Sequence, residues 1–349
     1  MGPVERTACL PVTEDVAWIP VDDPSAVGAA RRQINRLATR LGYPATRVAE
    51  IELAVTEIGT NAHKHASAGV LLLRSIRSAA TGVVEIVAFD SGPGIEDLSL
   101  AHTDGQSTAG SLGLGLGMLA RLADSYDIAS RPGQGTVLVT RFLPERDVPP
   151  PPRETVVGLT RPIAGEEICG DAYAVRRGPD QLLLMLCDGS GHGHLAASAS
   201  RIAVETFCQS PATAPEQLLA QLHTAMRGSR GGAVAIARLD LVEGTIRFAG
   251  LGNVSAFVVA DGDRRGMVSL PGIAGYQAGT IRAFDYPLPP GAGVVLHSDG
   301  LTDRWASETL ELRPTRDPLL AAATLLRDAG RRRDDASVLL AMPPVRASG

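Results

Sequence analysis

The sequence predicts a chain of two mixed α and β domains joined by a short proline-rich linker. Its 349 residues are enough for two domains of ordinary size. Residues 148–153 contain four consecutive prolines, which cannot join a helix or a central strand. Complete sets of strand and helix patterns lie on both sides, so we expect domains at 1–147 and 154–349. A rigid loop inside one domain is the alternative interpretation of the prolines.

The first domain is predicted to run strand, helix, helix, strand, strand, helix, strand, strand. Asp22, Asp23 and Pro24 favour a helix start, because acidic residues and proline suit a first turn. This helix is expected to end near Leu41, and a second helix to begin near Pro44. Apolar runs and turn residues predict the other elements, which are strands at 70–76 and 83–89, a helix at 114–123 and hairpin strands at 126–130 and 136–142.

The second domain is predicted to be mostly β, with two sheets flanked by helices. Its expected strands are 156–160, 172–175, 182–187, 234–239, 245–250, 256–259, 294–297 and 337–341. Its expected helices are 195–207, 215–226 and 318–329.

Composition and charge exclude several classes of partner and compartment. The net charge of −5 leaves no general basic field, so no nucleic acid partner is expected. No apolar run approaches the roughly 20 residues that span a bilayer, and the N-terminus lacks a signal-peptide pattern. We therefore expect no membrane partner and a cytoplasmic location. The four cysteines form no Cys-x-x-Cys pair and are expected to be reduced, buried thiols; they are Cys9, Cys169, Cys187 and Cys208.

Three polar segments of the first domain suggest a nucleotide site. Glu57 and Asn61 are four residues apart, which places both on one face of the second helix. A carboxylate there can accept a proton, and an amide oxygen can hold magnesium. Asp90 follows a strand within Asp-Ser-Gly-Pro-Gly and can accept a hydrogen bond from an exocyclic amine such as that of adenine. The glycine-rich run 110–117 leads into a helix, where free N–H groups suit phosphate oxygens.

The ordered set of segments at 57–61, 90–94 and 110–117 resembles the N, G1 and G2 boxes of the GHKL ATPases. Residues 56–66 and 131–136 further resemble the small anti-sigma-factor serine kinases, especially the switch kinase of the bacterial stressosome. The resemblance covers about residues 15–145. It implies a Bergerat-type ATP-binding α/β sandwich that uses ATP and Mg²⁺.

The same resemblance assigns roles to individual residues. It implies Glu57 as the general base, Asn61 as a magnesium ligand, Asp90 as the adenine-reading residue and residues 95–112 as a short ATP lid. The remaining implied nucleotide-binding positions are Gly92, Gly94, Gly113, Gly115, Gly117 and Thr136. Histidine kinases are a rival within the superfamily. No separate dimerisation helix precedes this domain, so His63 and His65 are interpreted as ordinary polar residues.

Four acidic motifs in the second domain suggest a metal site, since each aspartate lies beside glycine or another acid at a predicted strand end. Strand ends place side chains accurately, and clustered carboxylates need a hard dication to relieve their repulsion. Two such ions can activate water towards a phosphorus atom. For any single Asp-Gly pair a β-turn is the alternative, and it is preferred for Asp261. His192 could be a general acid, a supporting residue or a helix cap. The motifs are at 170–171, 188–193, 299–300 and 334–335.

These motifs, in this order, resemble the metal-dependent phosphatases of the 2C type and specifically the short SpoIIE-like branch. The resemblance covers about residues 155–343 and implies an α-β-β-α sandwich holding two Mn²⁺ or Mg²⁺ ions. The implied ligands are Asp171, Asp188, the Gly189 carbonyl, Asp299 and Asp334, with Asp188 also catalytic. Asp335 is the alternative to Asp334, which matches the family pattern better. Two positions depart from the family pattern, because Cys169 stands where glycine is commoner and Ser337 stands where threonine is expected.

Together the two resemblances imply a bifunctional regulator of a bacterial partner-switching pathway. The second domain would dephosphorylate phosphoserine or phosphothreonine on a STAS anti-anti-sigma protein, and the first would phosphorylate a STAS protein. A sigma factor is a further expected partner. One alternative is a phosphatase gated by a non-catalytic ATP-sensing or sigma-binding first domain. The other is a non-catalytic scaffold in which both sites are vestigial.

Overall fold

The computed structural model describes residue 9 and residues 12–65, 68–77, 82–95, 112–146, 154–310, 312, 316–331 and 333–343. The chain divides into two compact units, one formed by Pro11–Arg153 and the other by Met1–Leu10 together with Glu154–Gly349. The predicted linker at 148–153 and most of the predicted ATP lid, 96–111, lie outside the described residues.

The described part of the first unit is a two-layer sandwich of one antiparallel sheet and three helices that share an apolar core. The strand order across the sheet is β1-β2-β3-β5-β4. The strands are β1 (Val12–Pro20), β2 (Val70–Arg77), β3 (Gly82–Phe89), β4 (Ser125–Arg131) and β5 (Gly135–Phe142). The helices are α1 (Pro24–Arg40), α2 (Ala45–His65) and α3 (Leu112–Leu122).

Local sequence explains why α1 starts and packs where it does. The carboxylate of Asp23 accepts a hydrogen bond from the Ser25 N–H at 2.7 Å, and proline occupies the first turn. The buried positions recur on one face of the helix and pack towards the sheet; they are Ala30, Ile34, Leu37 and Ala38. Alternate residues of β2 and β3 complete this core, since Leu71, Leu73, Val84 and Ile86 are all fully buried.

Among its described residues, the second unit contains two large sheets and three α-helices. One sheet has the order β13-β10-β9-β8-β7, with β16 also paired to β10, and the other has the order β12-β11-β17-β18-β6. The strands are β6 (Val156–Arg161), β7 (Asp171–Arg177), β8 (Gln181–Gly189), β9 (Gly232–Asp240), β10 (Thr245–Leu251), β11 (Ser255–Ala260), β12 (Asp263–Met267), β13 (Ser269–Leu270), β14 (Gly272–Ile273), β15 (Gln277–Ala278), β16 (Phe284–Pro287), β17 (Gly293–His297) and β18 (Ala336–Ala341). The helices are α4 (Gly193–Gln209), α5 (Pro215–Ala225) and α6 (Pro318–Ala329), with a short 3-10 helix at Ser307–Leu310.

These elements form the predicted α-β-β-α sandwich. One apolar cluster lies between the sheets and joins residues such as Leu184 and Ala235 to Val294 and Leu339. Helices α4 and α5 cover the outer face of one sheet, and α6 packs on β6 and β18 of the other. The predicted fold class is therefore confirmed for both units. Within the described residues, no helix has the length and apolar character needed to cross a membrane.

The prediction that all four cysteines are reduced is wrong. Cys9 and Cys208 form a disulfide, with their Cα atoms 5.6 Å apart, while Cys169 and Cys187 are free thiols. The backbone of Cys9 also pairs with Arg176 of β7 in an isolated antiparallel bridge. The expected first domain began at residue 1, whereas these contacts place Cys9 with the second unit. Spacing along the chain gave no sign of this pairing, because the two cysteines are 199 residues apart.

Candidate functional site

A pocket in the first unit opens between α2, α3 and the carboxyl end of β3. Four of the predicted nucleotide-binding residues line it, namely Asn61, Asp90, Gly94 and Thr136. The rest of the lining is largely apolar and consists of Ile58, Ala62, Ala88, Phe89, Pro93, Ile95, Leu119, Ile128 and Leu138. An apolar slot with one carboxylate at its wall suits a flat, amine-bearing base.

The loop after β3 is held in a fixed shape against the β4–β5 hairpin. The Asp90 N–H donates to the Thr136 carbonyl at 2.9 Å, and the Gly92 N–H donates to Asp90 Oδ1 at 2.8 Å. The Gly133 N–H donates to the Pro93 carbonyl at 2.7 Å. Gly94 has a φ of +74°, and a Cβ there would lie 2.2 Å from the Arg131 carbonyl oxygen. Only glycine therefore allows this loop to reach the hairpin so closely.

The structure places the other predicted nucleotide residues near this pocket without making them part of its wall. Glu57 lies one turn before Asn61 on α2 and is half-buried. Helix α3 begins at Leu112, so Gly113, Gly115 and Gly117 lie within the helix rather than before it. The start of the glycine run, residues 110–111, lies outside the described residues.

The second unit gathers four aspartates where the ends of its two sheets approach each other. Asp171 is the first residue of β7 and is the cross-strand partner of Asp188 near the end of β8. Asp299 follows β17, Asp334 precedes β18, and these two strands are paired. Asp171, Asp299 and Asp334 all lie close enough to Asp188 for their charges to raise its pKa. The four predicted carboxylates therefore meet in one acidic cleft.

Glycines beside the aspartates let the loops of the cleft pack tightly. A Cβ at Gly189 would lie 2.4 Å from the Ala196 carbonyl oxygen of α4 and 2.7 Å from the Gly170 carbonyl oxygen. A Cβ at Gly170 would lie 2.7 Å from both Ala196 Cβ and Asp335 Oδ2. Any larger residue at either position would push the neighbouring aspartate out of place. This close approach is the physical reason for the Gly-Asp and Asp-Gly pairs.

Burial and mutual repulsion dominate the electrostatics of the acidic cleft. Burial, together with the charges of Asp171, Asp299 and Asp334, raises the pKa of Asp188 to about 9. Burial raises the pKa of Asp171 to about 7, against the opposing effect of the nearby Ser298 and Ser337 hydroxyls. The pKa of Asp299 is raised by burial and by Asp334, while Asn253 and Arg331 oppose that rise.

The two consecutive acids before β18 have different surroundings. Asp335 is buried, and its two carboxylate oxygens accept hydrogen bonds from the Ile163 and Gly170 N–H groups, each at 2.7 Å. The Asp335 N–H in turn donates to Asp334 Oδ1 at 3.0 Å. Both carboxylate oxygens of Asp335 are thus used in hydrogen bonds to backbone N–H groups. Asp334 is the acid that lies towards Asp188 and Asp299.

The four carboxylates are neighbours without forming a closed ligand set. In the described part of the chain, no three His, Cys, Asp or Glu side chains stand ready to hold a metal ion. Two observations nonetheless favour a cation here. Asp171 Oδ2 is buried with no hydrogen-bond partner, and the raised pKa values arise from acids packed together in a poorly solvated place. A hard dication bound through oxygen ligands would give Asp171 Oδ2 a partner and would offset the repulsion among the acids.

Sequence reasoning missed two residues at the cleft and left a third open. Asn253 donates a short hydrogen bond to Asp299 Oδ2. It follows strand β10 and Gly252, so the rule that selected the aspartates could have found it. Glu166 Oε1 lies 3.0 Å from His192 Nδ1. His192 occupies the cap position of α4 but makes no side-chain cap bond, so the helix-cap interpretation is not supported.

Two family models match the chain, one in each unit. The model for the histidine kinase-like ATPase domain matches residues 21–142, and the model for stage II sporulation protein E (SpoIIE) matches residues 178–343.

Individual relatives follow the same division. The serine/threonine-protein kinase RsbT of Bacillus subtilis (strain 168) is 35% identical over 108 residues, covering 31% of this chain and 81% of that protein. The phosphoserine phosphatase RsbX of the same organism is 26% identical over 141 residues, covering 39% of this chain and 69% of that protein. A solved chain from a study of the bacterial stressosome as a modular system for secondary messenger signalling is 29% identical. It has a TM-score of 0.51 and covers 54% of this chain and 98% of its own.

Because Gly94 lies so close to the β4–β5 hairpin, a larger residue at this position is predicted to weaken nucleotide binding. Gly94→Ala should weaken ATP and ADP binding about tenfold or more, because its Cβ displaces the loop that carries Asp90. Isothermal titration calorimetry measures this. Gly133→Ala is the matched control, since Gly133 has a similar φ of +75° and open space around it. That variant should bind within about twofold of the parent. Equal losses in the two variants would contradict the account.

Proposed function

We propose that this chain both adds phosphate to proteins of a signalling pathway and removes it from them. Its first unit belongs to the histidine kinase-like ATPase family and its second unit to the SpoIIE phosphatase family. The chain is a partner-switching regulator with a kinase-like and a phosphatase domain. In the finer proposal, the second unit removes phosphate from serine or threonine of a STAS protein, and the first phosphorylates a STAS protein. The convergence of four aspartates in one cleft is the observation that carries this proposal.

The phosphatase step depends on residues that would hold two Mn²⁺ or Mg²⁺ ions. Asp171, Asp188, Asp299, Asp334 and the Gly189 carbonyl supply hard oxygen donors of the kind these ions prefer. When bound, the ions supply an activated water and neutralise charge on the phosphoryl group. The protein contributes the fixed placement of the donors at rigid strand ends.

Residues around the aspartates support the phosphatase site in distinct ways. Asp335 positions the loop before Asp171 by accepting the Gly170 N–H, so it acts through the backbone rather than on substrate. Arg331 lies near Asp299, and Arg230 lies close to Gly191 in the loop after Asp188. Both guanidinium groups are candidates for attracting the phosphate dianion of the substrate.

The kinase step rests on the pocket of the first unit. Asp90 would accept the exocyclic amine of adenine, and Asn61 would hold Mg²⁺ with its amide oxygen. Glu57, one turn before Asn61 on α2, would accept the proton from a substrate hydroxyl. Gly94 and Thr136 would form part of the base-binding wall, and Gly92 would hold Asp90 through its N–H. Gly113, Gly115 and Gly117 would let α3 approach the phosphates.

A STAS partner and a cytoplasmic location belong to the same proposal. RsbT and RsbX are a protein kinase and a phosphoserine phosphatase, and a chain that resembles both would act on the same or a related phosphoprotein with its two units. Phosphotransfer also needs the ATP pool inside the cell. A sigma factor is a further candidate partner.

The phosphatase proposal predicts unequal effects of substitution at neighbouring acids. Asp188→Asn and Asp334→Asn should each lower phosphate release from a phosphorylated STAS protein by about 100-fold or more, because each removes a metal ligand. Asp335→Asn should lower it about tenfold and recover with added Mn²⁺, because an amide oxygen still accepts one of the two backbone N–H groups. Phosphate release against Mn²⁺ concentration distinguishes the cases.

Asp261→Asn is the charge-matched control for these variants, since Asp261 lies in an exposed turn. It should retain the full rate. Equal, unrecoverable losses in Asp334→Asn and Asp335→Asn would contradict the division of roles. Undiminished release in Asp188→Asn would overturn the phosphatase site.

The kinase proposal predicts a separation of binding from transfer. Glu57→Gln should abolish transfer of labelled γ-phosphate to a STAS protein while leaving ATP affinity within about twofold, because Glu57 does not line the base pocket. Glu52→Gln on the same helix is the control and should transfer normally, since its amide oxygen can still accept from Asn35. Nucleotide binding without transfer by the parent protein would support a first unit that only senses ATP and gates the phosphatase.

A further inference from the structure

The disulfide between Cys9 and Cys208 joins the start of the chain to the far end of α4. We propose that this disulfide is a reversible redox modification site, which fastens Cys9 to α4 of the phosphatase unit while oxidised and releases it when reduced. The proposal does not depend on which phosphoprotein the enzyme acts on.

The two bonded cysteines are accessible, whereas another cysteine is not. Cys9 and Cys208 are both half-buried, so neither residue is enclosed in the apolar core. Cys187 is fully buried among the residues of the α4 and α5 core and is shielded from exchange. Access of this kind decides which sulfurs take part in thiol–disulfide exchange.

The phosphatase unit has its own contacts at this end of α4, and they do not need the disulfide. Arg176 Nη1 donates to the Phe207 carbonyl at 3.2 Å and to the Ala212 carbonyl at 2.9 Å, and the guanidinium lies 5.5 Å from the centre of the Phe207 ring. Reduction would leave these contacts in place. Among the described residues, the backbone pairing of Cys9 is a single bridge with Arg176. Breaking the disulfide would therefore loosen Cys9 without unfolding α4.

The disulfide changes how the two units are covalently connected. It closes a loop between residues 199 apart, and this loop contains the whole chain of the first unit. Strand β1 of the first unit begins at Val12, only three residues after Cys9. In the oxidised form both ends of the first unit are attached to the second unit, and in the reduced form only one end is. An added attachment restricts the freedom of the kinase-like unit relative to the phosphatase unit.

The site lies away from the acidic cleft along both elements that connect them. Asp171 begins β7 and the Cys9 bridge is at Arg176, about 17 Å further at the usual strand rise. Gly193 begins α4 and Cys208 is near its end, about 22 Å further at the usual helical rise. Hydrolysis of a small substrate should therefore be insensitive to the state of the disulfide.

The exchange reaction balances with a dithiol reductant of the thioredoxin class. One thiolate of the reductant attacks a sulfur of the disulfide, which breaks the S–S bond and forms a mixed disulfide. The second thiolate of the reductant then resolves that intermediate. Two electrons and two protons pass to Cys9 and Cys208, and the reductant leaves as a disulfide.

Thiol counting on the full chain tests the proposal. After mild oxidation, the unfolded protein should take up maleimide at two cysteines, Cys169 and Cys187, and after dithiol treatment of the folded protein at all four. Oxidised protein should also migrate faster than reduced protein on a denaturing gel, because of its closed loop. Cys9→Ser and Cys208→Ser should show no such shift, whereas Cys169→Ser is the matched control and should keep it.

Activity measurements show whether the site acts on the connection and not on the cleft. The rate of p-nitrophenyl phosphate hydrolysis should agree within about twofold between the oxidised and reduced proteins. Four reactive thiols after oxidation, a disulfide that joins two chains, or a bond that resists dithiol in the folded protein would each overturn the proposal. None of these results bears on whether the chain is a phosphatase.

Discussion

The repulsion among buried aspartates at the meeting of two sheets is the constraint on which the second unit depends. Asp171, Asp188 and Asp299 are each partly or wholly removed from water. The charges of Asp171 and Asp299 raise the pKa of Asp188, and the charge of Asp299 also raises the pKa of Asp171. Well-packed apolar residues of similar volume would cost less free energy to bury than these acids do. The fold keeps these acids because strands β7, β8, β17 and β18 end at the same place and fix them there. We propose that a divalent cation offsets this repulsion.

The supporting contacts of the cleft are made by backbone and short side chains. Asp335 ties Ile163 and Gly170 to the start of β18, and the Ser337 N–H donates to Ser298 Oγ at 2.9 Å. Gly189 packs against α4 with no room for a side chain. Each of these hydrogen bonds and packing contacts limits the movement of a neighbouring aspartate. The nucleotide pocket of the first unit is built differently, with an apolar wall and one carboxylate, because a flat base needs contact area more than charge.

Much of the fold was predictable from the sequence, because a strand such as 182–187 is a continuous apolar run bounded by polar residues, here Gln181 and Asp188. The Asp-Gly motifs at 188–189 and 299–300 could be recognised because each follows an apolar run that predicts a strand. The distinct role of Asp335 was not, since its partners Ile163 and Gly170 are more than 160 residues away. The disulfide of Cys9 was missed because its partner, Cys208, is 199 residues away. Contacts between distant segments are set by the packed fold and leave no local pattern.

The central claim is that the aspartates of the second unit share divalent ions. Anomalous diffraction from crystals of the full chain grown with Mn²⁺ tests it most directly. The account predicts anomalous peaks within the cleft, in contact with carboxylate oxygens of Asp171, Asp188, Asp299 and Asp334. Well-ordered aspartates with no peak among them at saturating Mn²⁺, or a peak bound only elsewhere in the second unit, would contradict it.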